Sequence, residues 1–307
     1  MLGHFIKSNR YRIAPQSIST EGFKMTATVI MDDSNSPLEQ GAPVRSAKFG
    51  SQAKIIAIAS EKGGVGKTAL AVNLAYLWAK EGLSVLLLDL DTQGNATRHV
   101  GQELSGEALE SCTSPDHRAK NDAVLQPDAH AFGFDVIRGG RYILGAVSNI
   151  QQKRVPSIVL RKLLRPLKAR YDVIVIDTPP TLGVLSINAI VASSHLLIPV
   201  QLEGAALDGL DAILETTEEL LDINPDLELL GSVPMMHDRR TAISKMLLQR
   251  LKDMDYAAPI DVPIGRNVSI AEAYLAEEPV ELYAPSSQGA KDFKRLLKQL
   301  NQRLLHV

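Results

Sequence analysis

Residues 61 to 68 read Glu-Lys-Gly-Gly-Val-Gly-Lys-Thr and stand between an apolar β-branched run, Ile55–Ala59, and a segment of helical period, Lys67–Lys80. A strand ending near Ser60, a glycine-rich turn and a helix starting near Lys67 aim successive backbone N–H groups and the positive end of a helix dipole at one point. That point is an anion site. Gly63, Gly64 and Gly66 allow the backbone to wrap closely around phosphate, with Val65 inside the same cradle. Lys67 supplies positive charge to terminal phosphates, and the Thr68 hydroxyl is suited to magnesium. A tight turn before a helix would account for the glycines alone, but not for the lysine and threonine that follow them. The strict G-x-x-x-x-G-K-[ST] pattern fails because position 61 is Glu, and Lys62 to Thr68 replaces it.

From Lys54 onward, short apolar runs alternate with longer segments of helical period, the pattern of parallel strands joined by crossover helices. The strands expected are Ile55–Ala59, Val85–Leu90, Phe134–Ile137, Val173–Asp177, Leu196–Val200, Leu227–Val233 and Ile260–Pro263. The helices expected are Lys67–Lys80, Val155–Ala169, Leu185–Ala192, Leu207–Leu221, Thr241–Met254, Ser269–Ala276 and Lys291–Leu305. The fold class is therefore α/β, a doubly wound, mostly parallel sheet with helices on both faces, and ligand belongs at the carboxyl ends of the strands. A chain of 307 residues, 45% hydrophobic, has enough apolar material for one such domain, placed at 53–307. Residues 1–52 lack apolar periodicity, are rich in Ser, Pro and Gly from Asp32 on, and read as a flexible tail in which Met25 is an alternative start.

Two further strand ends carry carboxylates. In Val85-Leu86-Leu87-Leu88-Asp89-Leu90-Asp91, a period of two puts Asp89 and Asp91 on one face at the end of a strand. The run Tyr171 to Asp177 is a buried strand ending in a carboxylate, suited to holding magnesium through water, and Thr178-Pro179-Pro180 follows it.

The sequence Lys62-Gly63-Gly64-Val65-Gly66-Lys67-Thr68 resembles the deviant Walker A loop of the ParA/MinD family of P-loop ATPases. The likeness extends from about Lys54 to Leu305: Asp89 to Thr97 resembles the family's first switch, Thr178 to Gly183 its second, and Ile264-Gly265-Arg266-Asn267 the segment that closes over the adenine. It implies an ATPase whose cofactors are ATP and magnesium and which dimerises in its ATP state. Lys67 then engages phosphate, Lys62 reaches the partner subunit's nucleotide, and Asp91 positions the attacking water. Thr68, Asp89 and Asp177 form the magnesium shell, while Gly63, Gly64, Val65, Gly66, Gly265, Arg266 and Asn267 line the nucleotide. The family usually has proline where Gly265 stands, which predicts a looser adenine wall.

Within the family, the ParA type binds nonspecific DNA and moves plasmid or chromosome cargo with a centromere-binding, ParB-type partner. The MinD type binds membrane through a carboxyl-terminal amphipathic helix. Iron-protein relatives need cysteines for a cluster, and Cys112 is the single cysteine here. For DNA the candidates are Arg161, Lys162 and Arg165 in a stretch whose charges are all basic, and Arg239, Arg240, Lys245 and Arg250 further on. The stripe Phe293, Leu296, Leu297, Leu300 and Leu304 suits a membrane or a docked helix, and docking is the reading preferred. The reading adopted is a cytoplasmic, nucleoid-associated partition ATPase, with a MinD-like positioning ATPase or a metabolic P-loop enzyme as alternatives.

Overall fold

The computed structural model describes residues 46, 48–50, 52–115, 125–204 and 206–305, without the side chains of Ala206 and Asp208. The expected tail over 1–52 lies outside the described residues except for residues 46, 48–50 and 52. Everything described belongs to one unit, Gly41–Val307.

Seven strands form one sheet in the order β3-β4-β2-β5-β1-β6-β7. They are β1 (Lys54–Ile58), β2 (Val85–Asp89), β3 (Asp128–Ala129), β4 (Asp135–Ile137), β5 (Val173–Asp177), β6 (His195–Gln201) and β7 (Glu228–Met235). All pairings are parallel except that of the short edge strand β3 with β4. Alternation along each strand feeds two cores. In β1, Ile55 and Ala57 face one helix layer while Ile56 and Ile58 face the other, and in β5 Ile174 and Ile176 oppose Val173 and Val175 in the same way. Strands buried on both faces must be apolar throughout, which is why these runs are Ile, Val and Leu with hardly a polar residue before their last position.

One layer holds α3 (Glu107–Thr113), α4 (Ile143–Gln151), α5 (Val159–Leu164), α6 (Val184–Ala192), α7 (Ala206–Leu221) and α8 (Ala242–Lys252). The other holds α1 (Lys67–Lys80), α2 (Asn95–His99), α9 (Val268–Leu275), α10 (Val280–Tyr283) and α11 (Gln288–Leu305). The apolar stripe of α11 is inside: Phe293, Leu296, Leu297, Leu300 and Leu304 are all buried, and Trp78 Nε1 of α1 donates to Asn301 Oδ1 at 2.8 Å. Among the described residues no helix is long and apolar enough to cross a membrane.

Three expectations need correction. Ile260–Pro263 is not a strand; only the isolated bridges Ser232↔Pro259 and His237↔Gly265 tie this stretch to the sheet's edge. Pro259 and Pro263 have no N–H to give a ladder, and Ala258 turns the chain at φ 45. Val155–Ala169 is not one helix but a 3₁₀ turn at Pro156–Ile158, α5, and a second 3₁₀ turn at Leu167–Ala169. Pro166 has no N–H to donate to the Lys162 carbonyl, which accepts from Arg165 N at 3.3 Å instead, so the α-helical ladder ends at Leu164 although Arg165 keeps helical dihedrals. Finally, β2 ends at Asp89, so Asp91 lies two residues into the loop and does not share a strand face with it.

Candidate functional site

Strand register collects the site. Because β5 lies between β1 and β2, Asp177 pairs in register with Ile58 on one side and Asp89 on the other. The loop leaving β1 and the loop leaving β2 therefore open on either side of Asp177, at the carboxyl edge of the sheet.

The loop leaving β1 takes two left-handed residues, Gly64 at φ 72 and Gly66 at φ 97, and Gly66 caps α1. The left-handed conformation demands glycine at Gly66, where a Cβ would lie 2.6 Å from Met235 Cε, the movable end of a flexible side chain. Lys67, the first residue of α1, is folded back beneath the loop and is only 7% exposed. Its ammonium donates to the carbonyls of Ser60 at 3.4 Å and Lys62 at 3.1 Å. Burial lowers its pKa, opposed by the charges of Asp177 and Asp91. Thr68 Oγ1 donates to Asp177 Oδ2 at 2.7 Å. Asp177 Oδ1 is buried and has no hydrogen-bond partner among the described residues. Burial and the neighbouring Asp89 raise the Asp177 carboxyl well above the usual carboxylate range.

A buried carboxyl with one oxygen on a threonine hydroxyl and the other without a partner fits a bound cation. Among the described residues, no group of three His, Cys, Asp or Glu converges as a metal site in its own right. A cation held by Thr68 and Asp177 would therefore have to complete its shell from the anion in the cradle and from water, the habit of magnesium.

Asp91 borders the same cavity and is 7% exposed. Its Oδ1 accepts from Gln93 N at 3.0 Å and its Oδ2 from Asn95 Nδ2 at 3.4 Å. Asp89 is placed differently from the expectation that it joins a metal shell. Its Oδ1 accepts from Asp91 N at 2.9 Å, and its Oδ2 accepts from the backbone and hydroxyl of Thr97 at 2.8 and 2.7 Å. Burial pushes its pKa up to about 6, with the Thr97 and Asp91 hydrogen bonds opposing. Gly139 packs against it so closely that a Cβ there would lie 2.5 Å from its Cγ. Asp89 has its oxygens occupied and does not border the cavity, so it braces the loop that carries Asp91.

The cavity encloses about 790 Å³. Gly63, Gly64, Gly66, Lys67, Thr68, Asp91, Gly265, Arg266 and Asn267 all border it, whereas Val65 is buried and does not. Its far end is apolar, with Met235 and Met236 from β7 and its loop and Ile270, Ala271, Tyr274 and Leu275 from α9. Asn267 caps α9, its side chain accepting from Ser269 N at 2.9 Å. Arg266 pairs with Glu203. Gly265 donates its N–H to Asp292 Oδ2 at 3.1 Å, a bond no proline could make, so this departure from the family pattern ties the wall to α11 instead of loosening it. Lys62 stands outside the cavity. It is exposed, and among the described residues its side chain makes no hydrogen bond or ion pair.

The two basic groups differ in availability. Arg161 donates to the Ile223 carbonyl at 3.1 Å, while Lys162 and Arg165 are exposed. Arg239, Arg240, Lys245 and Arg250 are all exposed on the loop before α8 and on α8 itself, with Arg240 paired to Asp238. His99, Met235, Met236, Ile270 and Tyr274 are cavity residues that pattern reading missed. The short helix α2 has no period to announce it, and Tyr274 looks from the sequence like one more apolar-face residue.

A family model described as an AAA domain matches residues 53–229. The sporulation initiation inhibitor protein Soj of Bacillus subtilis is 36% identical over 257 residues, covering 80% of this chain and 98% of that protein. The chromosome-partitioning ATPase Soj of Thermus thermophilus is 35% identical over 258 residues, covering 81% and 96%. Among solved structures, cobyrinic acid a,c-diamide synthase from Mycobacterium smegmatis with bound ADP and magnesium superposes with a TM-score of 0.66 at 28% identity, covering 80% of this chain and 93% of that one.

Proposed function

Because the chain belongs to the ParA/MinD family of P-loop ATPases, we propose that it is a partition ATPase that binds magnesium ATP, dimerises around it, hydrolyses it and holds nonspecific DNA in the ATP state. The observation that carries the nucleotide part is the orphaned Asp177 Oδ1 beside Thr68, under a glycine cradle closed by a buried lysine. Relatives named for chromosome partitioning, matched over four fifths of this chain, support the biological part.

Residue roles follow from position. The N–H groups of Gly63 to Thr68 and the start of α1 bind the phosphates, and Lys67 exchanges two neutral carbonyl partners for anionic oxygens, which are stronger acceptors. Thr68 and Asp177 hold magnesium, which when bound neutralises charge on the transferring phosphate. Asp91, with an oxygen toward the cavity, orients the attacking water. Met235, Met236, Ile264 and α9 enclose the base, and residues 265–267 form its polar rim.

Replacing Asp91 by Ala should leave nucleotide affinity within about twofold while lowering turnover about a hundredfold, the ordinary contribution of one positioned acid–base group. Phosphate release and titration with ADP measure the two separately, and undiminished release would remove Asp91 from the mechanism.

DNA binding is expected to require ATP and to weaken by about a thousandfold or more between 50 and 200 mM salt, since the affinity comes from phosphate contacts that release counterions. With Arg161 bonded to the Ile223 carbonyl, the first group leaves two exposed cations, Lys162 and Arg165, against three in the second, Arg239, Lys245 and Arg250, so joint replacement of those three by Ala should weaken binding more than that of the two. Fluorescence anisotropy on unrelated duplexes reads both effects, and binding indifferent to nucleotide and salt would contradict this reading. The MinD-like alternative lacks its main support, because the stripe on α11 is buried in the core. A metabolic enzyme would be stimulated by a small acceptor, whereas this reading expects stimulation by DNA and a ParB-type partner, in the nucleoid-associated cytoplasm.

A further inference from the structure

Helix α9 is joined to the loop carrying Asp91 more closely than a cover over the cavity requires. The Tyr274 hydroxyl donates to Asn95 Oδ1 at 3.3 Å, and Asn95 Nδ2 donates to Asp91 Oδ2 at 3.4 Å. The two bonds run in one direction, from phenol to amide oxygen and from amide nitrogen to carboxylate. The Asp91 carboxylate only accepts, so it takes the Nδ2 end of Asn95, and the Oδ1 end is left to accept from Tyr274, whose hydroxyl holds the far side of the amide in place.

The Tyr274 ring is itself held. His99 meets it edge-on, with centroids 5.1 Å apart and planes at 68°. His99 is buried, and its Nε2 lies 3.1 Å from the Glu278 carbonyl, which only accepts, so the ring carries its proton there. Just past α9 the chain turns through Glu277 in a left-handed conformation, φ 58, over Gly101, where a Cβ would lie 3.1 Å from Glu277 Oε2. The far end of the cavity and the Asp91 loop are thus joined through α2 into one packed unit.

We propose that Tyr274 is a positioning residue through which seating of the nucleotide base against α9 sets, by way of Asn95, the orientation of the Asp91 carboxylate. The proposal rests on the assignment of Asp91 made above. It gives this site a means of making hydrolysis depend on the base as well as on the phosphates. The long distances suit such a link, because hydrogen bonds of this kind tighten when the site fills.

The test is steady-state ATP turnover and ADP affinity with the full chain. Tyr274→Phe, which removes one oxygen from a half-buried ring, should lower kcat about fivefold, the size of one net hydrogen bond, with KM within twofold and the thermal midpoint unchanged. Asn95→Ala should lower kcat at least as much, and the double variant should be no slower than Asn95→Ala alone, because both substitutions cut one relay. Asn95→Asp keeps an acceptor for Tyr274 but loses the donor to Asp91, so it too should be slow. Wild-type kcat in Tyr274→Phe, losses that multiply in the double variant, a raised KM with unchanged kcat, or wild-type turnover in Asn95→Asp would each overturn the relay. An inactive wild-type chain would overturn the functional reading itself, whereas an active wild type with an unaffected Tyr274→Phe overturns the relay alone.

Discussion

Lys67→Ala is expected to weaken ATP binding by more than a hundredfold and to abolish turnover, without unfolding the protein. The Lys67 ammonium is buried, its pKa is lowered by desolvation, and its partners are two neutral carbonyls at 3.4 and 3.1 Å. Those bonds are long for a charged donor, so the loop gains little from them. A triphosphate offers anionic oxygens instead, and two charge-assisted bonds at about 1.5 to 3 kcal/mol each amount to a factor of a hundred or more in affinity. The same substitution removes a cation from beside Asp91 and Asp177, and the Asp177 carboxyl already has a pKa raised by burial, so protonation can absorb part of that loss. Differential scanning fluorimetry separates the effects. Without nucleotide the midpoint should stay close to wild type, and the rise that ATP and magnesium produce in wild type should disappear. A variant that still shows that rise would remove Lys67 from the phosphate site.

The parts of this architecture that could be read in advance are those with long or unambiguous signals. The start and end of α1 are legible in the sequence, because Gly66 makes the strand-to-helix turn and 14 residues with neither Gly nor Pro follow. Val173–Asp177 coincides with β5 because a strand buried on both faces has no polar residue before its last. The failures share a cause. Residues 155 to 169 have the right apolar spacing for a helix, and Pro166 overrides it locally. Ile260–Pro263 has the composition of a strand, but Pro259 and Pro263 bring no N–H to a ladder. Helices α2 and α10, of five and four residues, are too short for any period to register.

The site shows the same division. Gly63 to Thr68 is contiguous, so its chemistry is written in one line of sequence. The placement of Asp89 is not, because what occupies its Oδ2 is Thr97 and what presses on it is Gly139, residues brought there by α2 and by the turn after β4. Spacing pairs Asp89 with Asp91 as equals. Packing makes one a brace for the loop and leaves the other at the cavity. Tyr274 needed the fold in the same way, being 179 residues from the Asn95 that accepts its hydrogen bond.

Lys62→Ala should bind nucleotide nearly as wild type and lose ATP-dependent dimerisation, with hydrolysis and DNA binding lost in consequence. Only the backbone of Lys62 serves its own subunit: its carbonyl accepts from Lys67 at 3.1 Å, and its N–H reaches Ser60 Oγ at 3.5 Å. The side chain is exposed and, among the described residues, unpaired, beside Gly63, which faces Pro180 of the loop after β5. A second lysine five residues before the first, outside the cavity that the first already serves, has no evident task within one chain. In a twofold dimer closed over two nucleotides, each Lys62 would meet phosphate in the partner, and symmetry would count the contact twice. At about 1.5 to 3 kcal/mol per charged hydrogen bond, losing both weakens association by a hundredfold or more, while each cradle keeps its own Lys67. Because the contact exists only when nucleotide is present, it couples occupancy to assembly, and the same coupling makes ATP bind more tightly to the dimer. Light scattering with magnesium and ATP, using the hydrolysis-deficient Asp91→Ala background to hold the ATP state, reads the mass directly. Dimers of undiminished stability in Lys62→Ala, or a wild type that hydrolyses ATP at full rate as a monomer, would refute the sandwich and leave Lys62 a solvated surface charge.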